Sequence, residues 1–308
     1  MANIRELALD GERLAPGHRL CPGCGLSIIA RAVMRGTKDP IVVANATGCL
    51  EVSTTIYPYT AWNVPWIHNA FENAAATISG VEATYNVLKK KGKITKNIKF
   101  LAFGGDGGTY DIGLQSLSGA LERGHTFVYV CVDNEGYMNT GIQRSSSTPM
   151  GAWTNTSAVG KLHQGKEQFK KDLTAVVAAH HIPYVAQASP HNYMDLLRKS
   201  EKAFNTKGPA FINVLSPCVP GWKYPMQLSV KMAKIAIDTC FWPLFEVENG
   251  KWTLNYDPGP NKKPIIEWLK TQGRFRHLMK PENAHIIEEM QKNVDERWEE
   301  LKKWCAKA

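Results

Sequence analysis

Two groups of side chains in this 308-residue sequence are spaced for chemistry. The first is cysteine. Cys21 and Cys24 form a C-x-x-C pair in "GHRLCPGCGLSIIARA" (17–32), directly before an apolar-periodic stretch. Such a pair can hold zinc, hold an iron–sulfur cluster, or cycle as a redox disulfide. Cys49, in "NATGCLEV", and Cys218, in "LSPCVPGW", each end a strand-like run. Strand-end cysteines on one sheet edge can converge with the pair. Four thiolates suit either a structural zinc or a 4Fe–4S cluster, and spacing alone does not choose. Cys131 inside a strand, Cys240 in an apolar helix-like stretch and Cys305 near the C-terminus read as buried or incidental thiols.

The second group is carried by two polar turns. "IKFLAFGGDGG" (98–108) is an apolar strand running into glycines, with a helix-like stretch behind it. Glycines there admit an anion close to the backbone, and a helix N-terminus favours negative charge. Asp106, between Gly105 and Gly107, would repel a phosphate unless a divalent cation lay between them. Mg²⁺ suits that place, because it takes carboxylate, carbonyl and amide oxygens together with phosphates. Twenty-eight residues on, "DNEGYMNTG" (133–141) offers the Asn134 amide and the Gly136 carbonyl at the end of the next strand. This G-D-G, helix, strand, Asn order resembles the motif of thiamine-diphosphate enzymes. A Rossmann turn needs G-x-G-x-x-G with an acidic residue after the following strand, which "GGDGGTYDIG" does not supply cleanly.

These turns need a scaffold, and the pattern around them supplies one. Strand-like runs at 40–48, 98–108, 125–136, 182–189 and 209–218 alternate with helix-like runs at 68–92, 110–124, 172–181 and 194–208. In 110–124, Ile112, Leu114, Leu117, Ala120 and Leu121 fall largely on one face. The alternation predicts an α/β fold: a doubly wound, mostly parallel sheet covered on both faces, with ligands at the carboxyl ends of its strands. After about residue 220 Pro and Trp rise and 255–264 reads as loop, so 1–220 is taken as the cofactor-binding domain and 221–308 as a helical and irregular C-terminal extension. A last helix after Pro281 carries Ile287, Met290, Val294, Trp298, Leu301 and Trp304 as a packing stripe, with another subunit the surface considered.

Composition limits the partners. The chain is 44% hydrophobic, enough for one large or two smaller globular domains. No apolar run approaches the ~20 residues of a membrane helix. "MANIRELALDGERLAPGH" mixes both charge signs without an apolar centre and is not read as a signal peptide, so a cytoplasmic location is expected. Seven irregularly spaced cysteines argue against a disulfide framework. Lys and Arg outnumber Asp and Glu by 37 to 28, and crowd 89–99, 166–171 and the C-terminal third. No nucleic-acid-binding motif accompanies them. They read as solvated faces, with attraction of an acidic protein as the alternative.

Longer stretches carry a closer likeness. "CPGCG", "NATGCLEVSTTIYPYTAWNVPWIHNAFENAAA", "GGDGGTYDIGLQSLSGALERGH", "DNEGYMNTGIQRSSSTPMGAWT", "SPCVPGW" and the tail "PIIEWLKTQGRFRHL" resemble the β subunits of the 2-oxoacid:ferredoxin oxidoreductase family, in its pyruvate synthase branch. The resemblance implies thiamine diphosphate, Mg²⁺ and one 4Fe–4S cluster as cofactors. It puts the cluster on Cys21, Cys24, Cys49 and Cys218, and the Mg²⁺ on Asp106, Asn134 and the Gly136 carbonyl. It puts a catalytic-pocket amide at Asn139 and a ring beside the cofactor at Phe71. The implied reaction is oxidative decarboxylation of pyruvate with coenzyme A, the electrons passing to ferredoxin. The glutamate that activates the aminopyrimidine ring comes, in this family, from an α subunit, and Glu72 is not assigned to it. No C-x-x-C-x-x-C-x-x-x-C run is present, so a ferredoxin-like subunit or domain must relay the electrons. Oxalate, 2-oxoisovalerate and 2-oxoglutarate remain alternative substrates. A non-redox thiamine-diphosphate decarboxylase subunit and a non-catalytic assembly subunit remain alternative functions.

Overall fold

The computed structural model describes residues 11–306; the first ten residues, which carry much of the charge-mixed N-terminus, lie outside it. In chain order the principal elements are α1 (Leu26–Met34), β1 (Ile41–Ala46), α2 (Cys49–Thr54), β2 (Trp66–Asn69), α3 (Ala74–Lys90), β3 (Lys99–Gly105), α4 (Leu114–Glu122) and β4 (Val128–Asp133). They continue as α5 (Leu173–Ala178), β5 (Tyr184–Ala188), α6 (Tyr193–Asn205), β6 (Ala210–Leu215), α7 (Val219–Trp222), α8 (Ser229–Asp238), β7 (Phe245–Glu248), β8 (Lys251–Leu254), α9 (Ile266–Leu269) and α10 (Ala284–Ala306).

One eight-stranded sheet runs β2-β1-β3-β4-β6-β5-β7-β8. β1 to β6 pair in parallel; β7 and β8 are antiparallel additions. Every residue of β4, β5 and β6 is buried, as a sheet covered on both faces demands. Val43, Leu101, Phe103 and Val130 pack under α1 and α6 on one face, and Ala44, Ala102, Tyr129 and Cys131 meet α3, α4 and the C-terminal elements on the other. The chain leaves β1 towards β2 on one side and returns to β3 on the other. The crevice where the order reverses opens above the carboxyl ends of β1 and β3, where open parallel sheets bind ligands.

Four local expectations change. The helix read from residue 68 begins at Ala74: residues 66–69 instead form edge strand β2, with Asn45 opposite His68. Sheet pairing overrides local helix propensity there. The stretch after Gly105 opens as a π-helical turn over Gly107–Ile112, closed by the Gly113 amide donating to the Gly108 carbonyl at 2.7 Å. The wider turn rotates Ile112 off the buried face of α4 and leaves it 59% exposed. Cys240 lies just past the end of α8, in a left-handed conformation, and is buried. The C-terminal stretch is not only helical and irregular, since β7 and β8 form a hairpin on the main sheet. Asn249 and Gly250, both at positive φ, make its two-residue turn, a strong hairpin signal. The stripe on α10 packs within this chain, on residues 273–283 and on the hairpin, with Trp304 4.7 Å from Trp252. Among the described residues no helix is long and apolar enough to cross a membrane.

Candidate functional site

A cleft of about 30 Å³ lies at the switch point, lined by Thr47–Cys49 after β1, Phe71 after β2, Gly105–Gly108 after β3, and Asn134 and Gly136–Thr140 after β4. Gly107 must be glycine here: a Cβ would overlap the ring of Tyr137, whose hydroxyl donates to the Gly107 carbonyl at 2.9 Å. Phe71 meets the Tyr137 ring edge-on at 5.9 Å, closing one wall.

Asp106 is buried in the floor. One carboxylate oxygen accepts the Asn134 backbone amide at 3.3 Å and the other the Ser145 hydroxyl at 2.5 Å. Burial, and then the neighbouring Asp133, push its carboxyl well above the usual carboxylate range. One end of the Asn134 side-chain amide stands 2.8 Å from the Gly136 carbonyl and 2.9 Å from Asp106 Oδ1. With nitrogen at that end, the amide donates to both. With oxygen there, three oxygens from Asp106, Asn134 and Gly136 face one another with no proton between them. Neighbouring ligands of an octahedral Mg²⁺ at ~2.1 Å stand ~3 Å apart, so this donor set fits a divalent cation.

Behind the floor lies a buried charge network that the sequence reading missed. Asp133 accepts from the Tyr110 hydroxyl at 2.6 Å, the Ser147 hydroxyl at 2.5 Å and Lys170 at 2.9 Å. Lys170 also reaches Glu135 at 3.2 Å, and Arg274 pairs with the other Glu135 oxygen at 2.5 Å. Burial works against the Lys170 charge, but Asp133 and Glu135 more than offset it and raise its pKa. Lys170 and Arg274 thus pair with Asp133 and Glu135, while Asp106 is held by a hydroxyl and a backbone amide, and a divalent cation beside it would balance its charge. Ser145 and Arg274 both lie inside motifs quoted above, "QRSSSTP" and "TQGRFRHL". No local spacing signal ties either of them to Asp106 or Glu135.

The cysteines occupy an adjoining region. The Cys24 amide donates to the Cys21 carbonyl at 3.0 Å, closing the C-x-x-C turn, and Gly25 leans on Ser216 and Pro217 just before Cys218. Cys49 lines the cleft itself. Met138, in the loop beyond Gly136, and Cys218 crowd the same face of Gly221. All seven cysteines are free. Burial raises the Cys24 thiol to about 11 and the Cys49 and Cys218 thiols to about 12, with charge repulsion among the group adding to it. The four thiols are therefore electrostatic neighbours. Among the described residues, no three His, Cys, Asp or Glu side chains converge as ligands of a single metal ion. An all-thiol donor set fits an iron–sulfur cluster by its chemistry.

Asn139 lines the mouth of the cleft with an exposed side chain. Glu72 is not among the lining residues. His68 lies on β2, its Nε2 2.8 Å from Thr47 Oγ1 and 3.7 Å from Glu51.

Residues 46–214 match the family described as thiamine pyrophosphate enzyme, C-terminal TPP binding domain. The chain is 54% identical to pyruvate synthase subunit PorB of Thermotoga maritima, over 97% of this chain and 95% of that one. It is 46% identical to ketoisovalerate oxidoreductase subunit VorB of Pyrococcus abyssi, over 95% and 93%. A 2-oxoglutarate:ferredoxin oxidoreductase structure from Magnetococcus marinus shares the fold, with a TM-score of 0.57 at 18% identity, covering 72% of this chain and 79% of that one. The chain belongs to the thiamine pyrophosphate enzyme family, and within it to the group of oxidoreductase subunits that includes PorB and VorB.

Proposed function

We propose that this chain is the β subunit of a 2-oxoacid:ferredoxin oxidoreductase that converts pyruvate and coenzyme A to acetyl-CoA and CO₂. Two electrons and a proton are released per turnover, and the electrons leave for ferredoxin. The observation that carries the reading is the oxygen set of Asp106, Asn134 and Gly136, beside a cleft that Cys49 also lines.

Thiamine diphosphate, when bound, supplies the electron sink that lets a 2-oxoacid lose CO₂. A 4Fe–4S cluster on Cys21, Cys24, Cys49 and Cys218 would supply one-electron acceptance. The chain's own residues bind and orient. Asp106, the Asn134 amide oxygen and the Gly136 carbonyl hold Mg²⁺, while Gly105 and Gly107 let diphosphate oxygens approach the backbone. Tyr137 and Phe71 wall off water on one side. Asn139 offers its amide to the substrate carboxylate at the mouth. An α subunit supplies the activating glutamate and the rest of the enclosure, and a ferredoxin-like subunit or domain relays the electrons. The complex works in the cytoplasm, and residues 221–308 pack on the cofactor domain or on partner subunits.

2-Oxoisovalerate is the second substrate reading, favoured by the likeness to a ketoisovalerate oxidoreductase subunit. The test is a visible spectrum of the complex, purified anaerobically with its partners, before and after adding 2-oxoacid and coenzyme A. A charge-transfer band that bleaches with pyruvate supports the proposal. Bleaching with 2-oxoisovalerate alone keeps the mechanism and changes the substrate. A colourless, zinc-containing complex overturns the oxidoreductase reading.

A further inference from the structure

Residue 135 separates two of the three proposed cation ligands, and its backbone is unusual. Glu135 sits at φ +66°, a left-handed conformation that costs most residues with a side chain. Each of its polar groups is held. Its amide donates to Asp133 Oδ1 at 3.0 Å, and its carbonyl accepts from Thr148 at 2.8 Å. Its carboxylate oxygens take Lys170 at 3.2 Å and Arg274 at 2.5 Å. A chain rotated out of this conformation at residue 135 would turn the Asn134 side chain and the Gly136 carbonyl away from each other.

Arg274 comes from 139 residues further along the chain, in the segment between α9 and α10. It is 1% exposed. Its guanidinium lies over Trp222 at 4.3 Å, with Phe275 at 4.9 Å, and its Nε donates to Gln272 at 2.8 Å. Trp222 in turn donates its indole N–H to the Asn134 carbonyl at 2.8 Å. Arg274 and Trp222, stacked on each other, therefore grip both residues of the turn, Glu135 through its carboxylate and Asn134 through its carbonyl. A buried cation costs desolvation, and packing alone would be served by an apolar side chain.

We propose that Arg274 is a positioning residue for the divalent cation: through Glu135 it holds the left-handed turn that aims the Asn134 amide and the Gly136 carbonyl at Asp106. The inference rests on the cofactor reading above and deepens it, because that reading assigns the C-terminal segment no part in the site.

The test uses the assembled complex stripped of its cofactor, with Mn²⁺ as the probe, thiamine diphosphate at saturation, and free Mn²⁺ read by electron paramagnetic resonance. Arg274→Met is expected to weaken Mn²⁺ binding about tenfold, as loss of a group behind a metal ligand does, with kcat largely recovered at saturating Mn²⁺. Arg274→Lys keeps the charge and should hold the loss to about threefold. Glu135→Gln should weaken binding similarly to Arg274→Met, and combining the two should add little, because Arg274 acts through Glu135. Wild-type Mn²⁺ affinity in Arg274→Met, with only thermal stability reduced, overturns the inference and leaves the cofactor reading standing. If Arg274→Met does not assemble, Arg274→Lys decides: weakened binding supports the inference and wild-type affinity overturns it. A wild-type complex that binds neither Mn²⁺ nor thiamine diphosphate overturns the cofactor reading and the inference with it.

Discussion

At the ends of β3 and β4 the chain gathers oxygens; in the turn before α1 and at the ends of β1 and β6 it gathers sulfurs. The oxygen region is built to shape by protein–protein hydrogen bonds. Ser145 fixes Asp106, Trp222 fixes the Asn134 carbonyl, and Thr148, Lys170 and Arg274 fix Glu135. Among the described residues the sulfur region has no comparable side-chain network, only the Leu26 and Gly221 backbone amides at Cys24 and Cys218. Burial keeps Cys24, Cys49 and Cys218 protonated, turns and close glycine contacts hold the group, and Cys21 is exposed. A hard cation that demands near-ideal geometry needs ligands arranged in advance. A cluster with its own covalent frame imposes the spacing on its cysteines. The two regions share Cys49 at the cleft wall, so they are adjacent yet organised on different principles.

The largest effects should come from breaking one region without the other. Asp106→Ala is expected to abolish thiamine diphosphate retention while leaving the visible chromophore of the complex intact. Cys218→Ser is expected to remove most of the chromophore while thiamine diphosphate still binds. Fluorescence titration and absorption on both variants check this. Loss of both signals in either variant would merge the two regions into one.

Next in size, Ser145→Ala should weaken Mg²⁺ binding by about tenfold, within the 10–100-fold range for groups behind metal ligands. The hydroxyl bond to Asp106 is lost, and isothermal titration reads the change. The chromophore should not respond.

A smaller effect follows from the raised thiols. In cluster-free protein Cys24, Cys49 and Cys218 stay protonated at pH 8, so iodoacetamide should label exposed Cys21 well before them. Their folded pKa values lie above the unfolded value, so the stability they contribute is present in full below about pH 9. It is lost as the pH climbs towards the folded values of about 11 to 12. Cluster assembly must expel those protons and should strengthen from pH 7 to 9. Mass mapping of the labelled cysteines and assembly titrations at several pH values test both statements. The smallest expected effect is that of Cys305→Ser on α10, which should leave cofactor binding and chromophore unchanged.

Much of the fold is legible in the sequence. The apolar runs of β3, β4 and β6 announced a parallel sheet because both faces are buried, and Asp106 and Asn134 stood out because each ends such a run. β2 was hidden because "WIHN" is a half-exposed edge strand that takes its conformation from β1. The β7–β8 hairpin carried its signal in Asn249-Gly250, although its strands are short and only part buried. The charge network behind Glu135 had no local signature. Arg274 and Glu135 are ordinary charged residues until the fold buries them together.

The central claim is that the oxygen region and the sulfur region work side by side. The most direct measurement is electron paramagnetic resonance on the complex loaded with Mn²⁺ and thiamine diphosphate, before and after chemical reduction. The account expects the Mn²⁺ relaxation to change when a neighbouring cluster becomes paramagnetic, and expects Cys218→Ser to abolish that change. Mn²⁺ that binds normally but stays indifferent to reduction, in a complex that retains its chromophore, would contradict it.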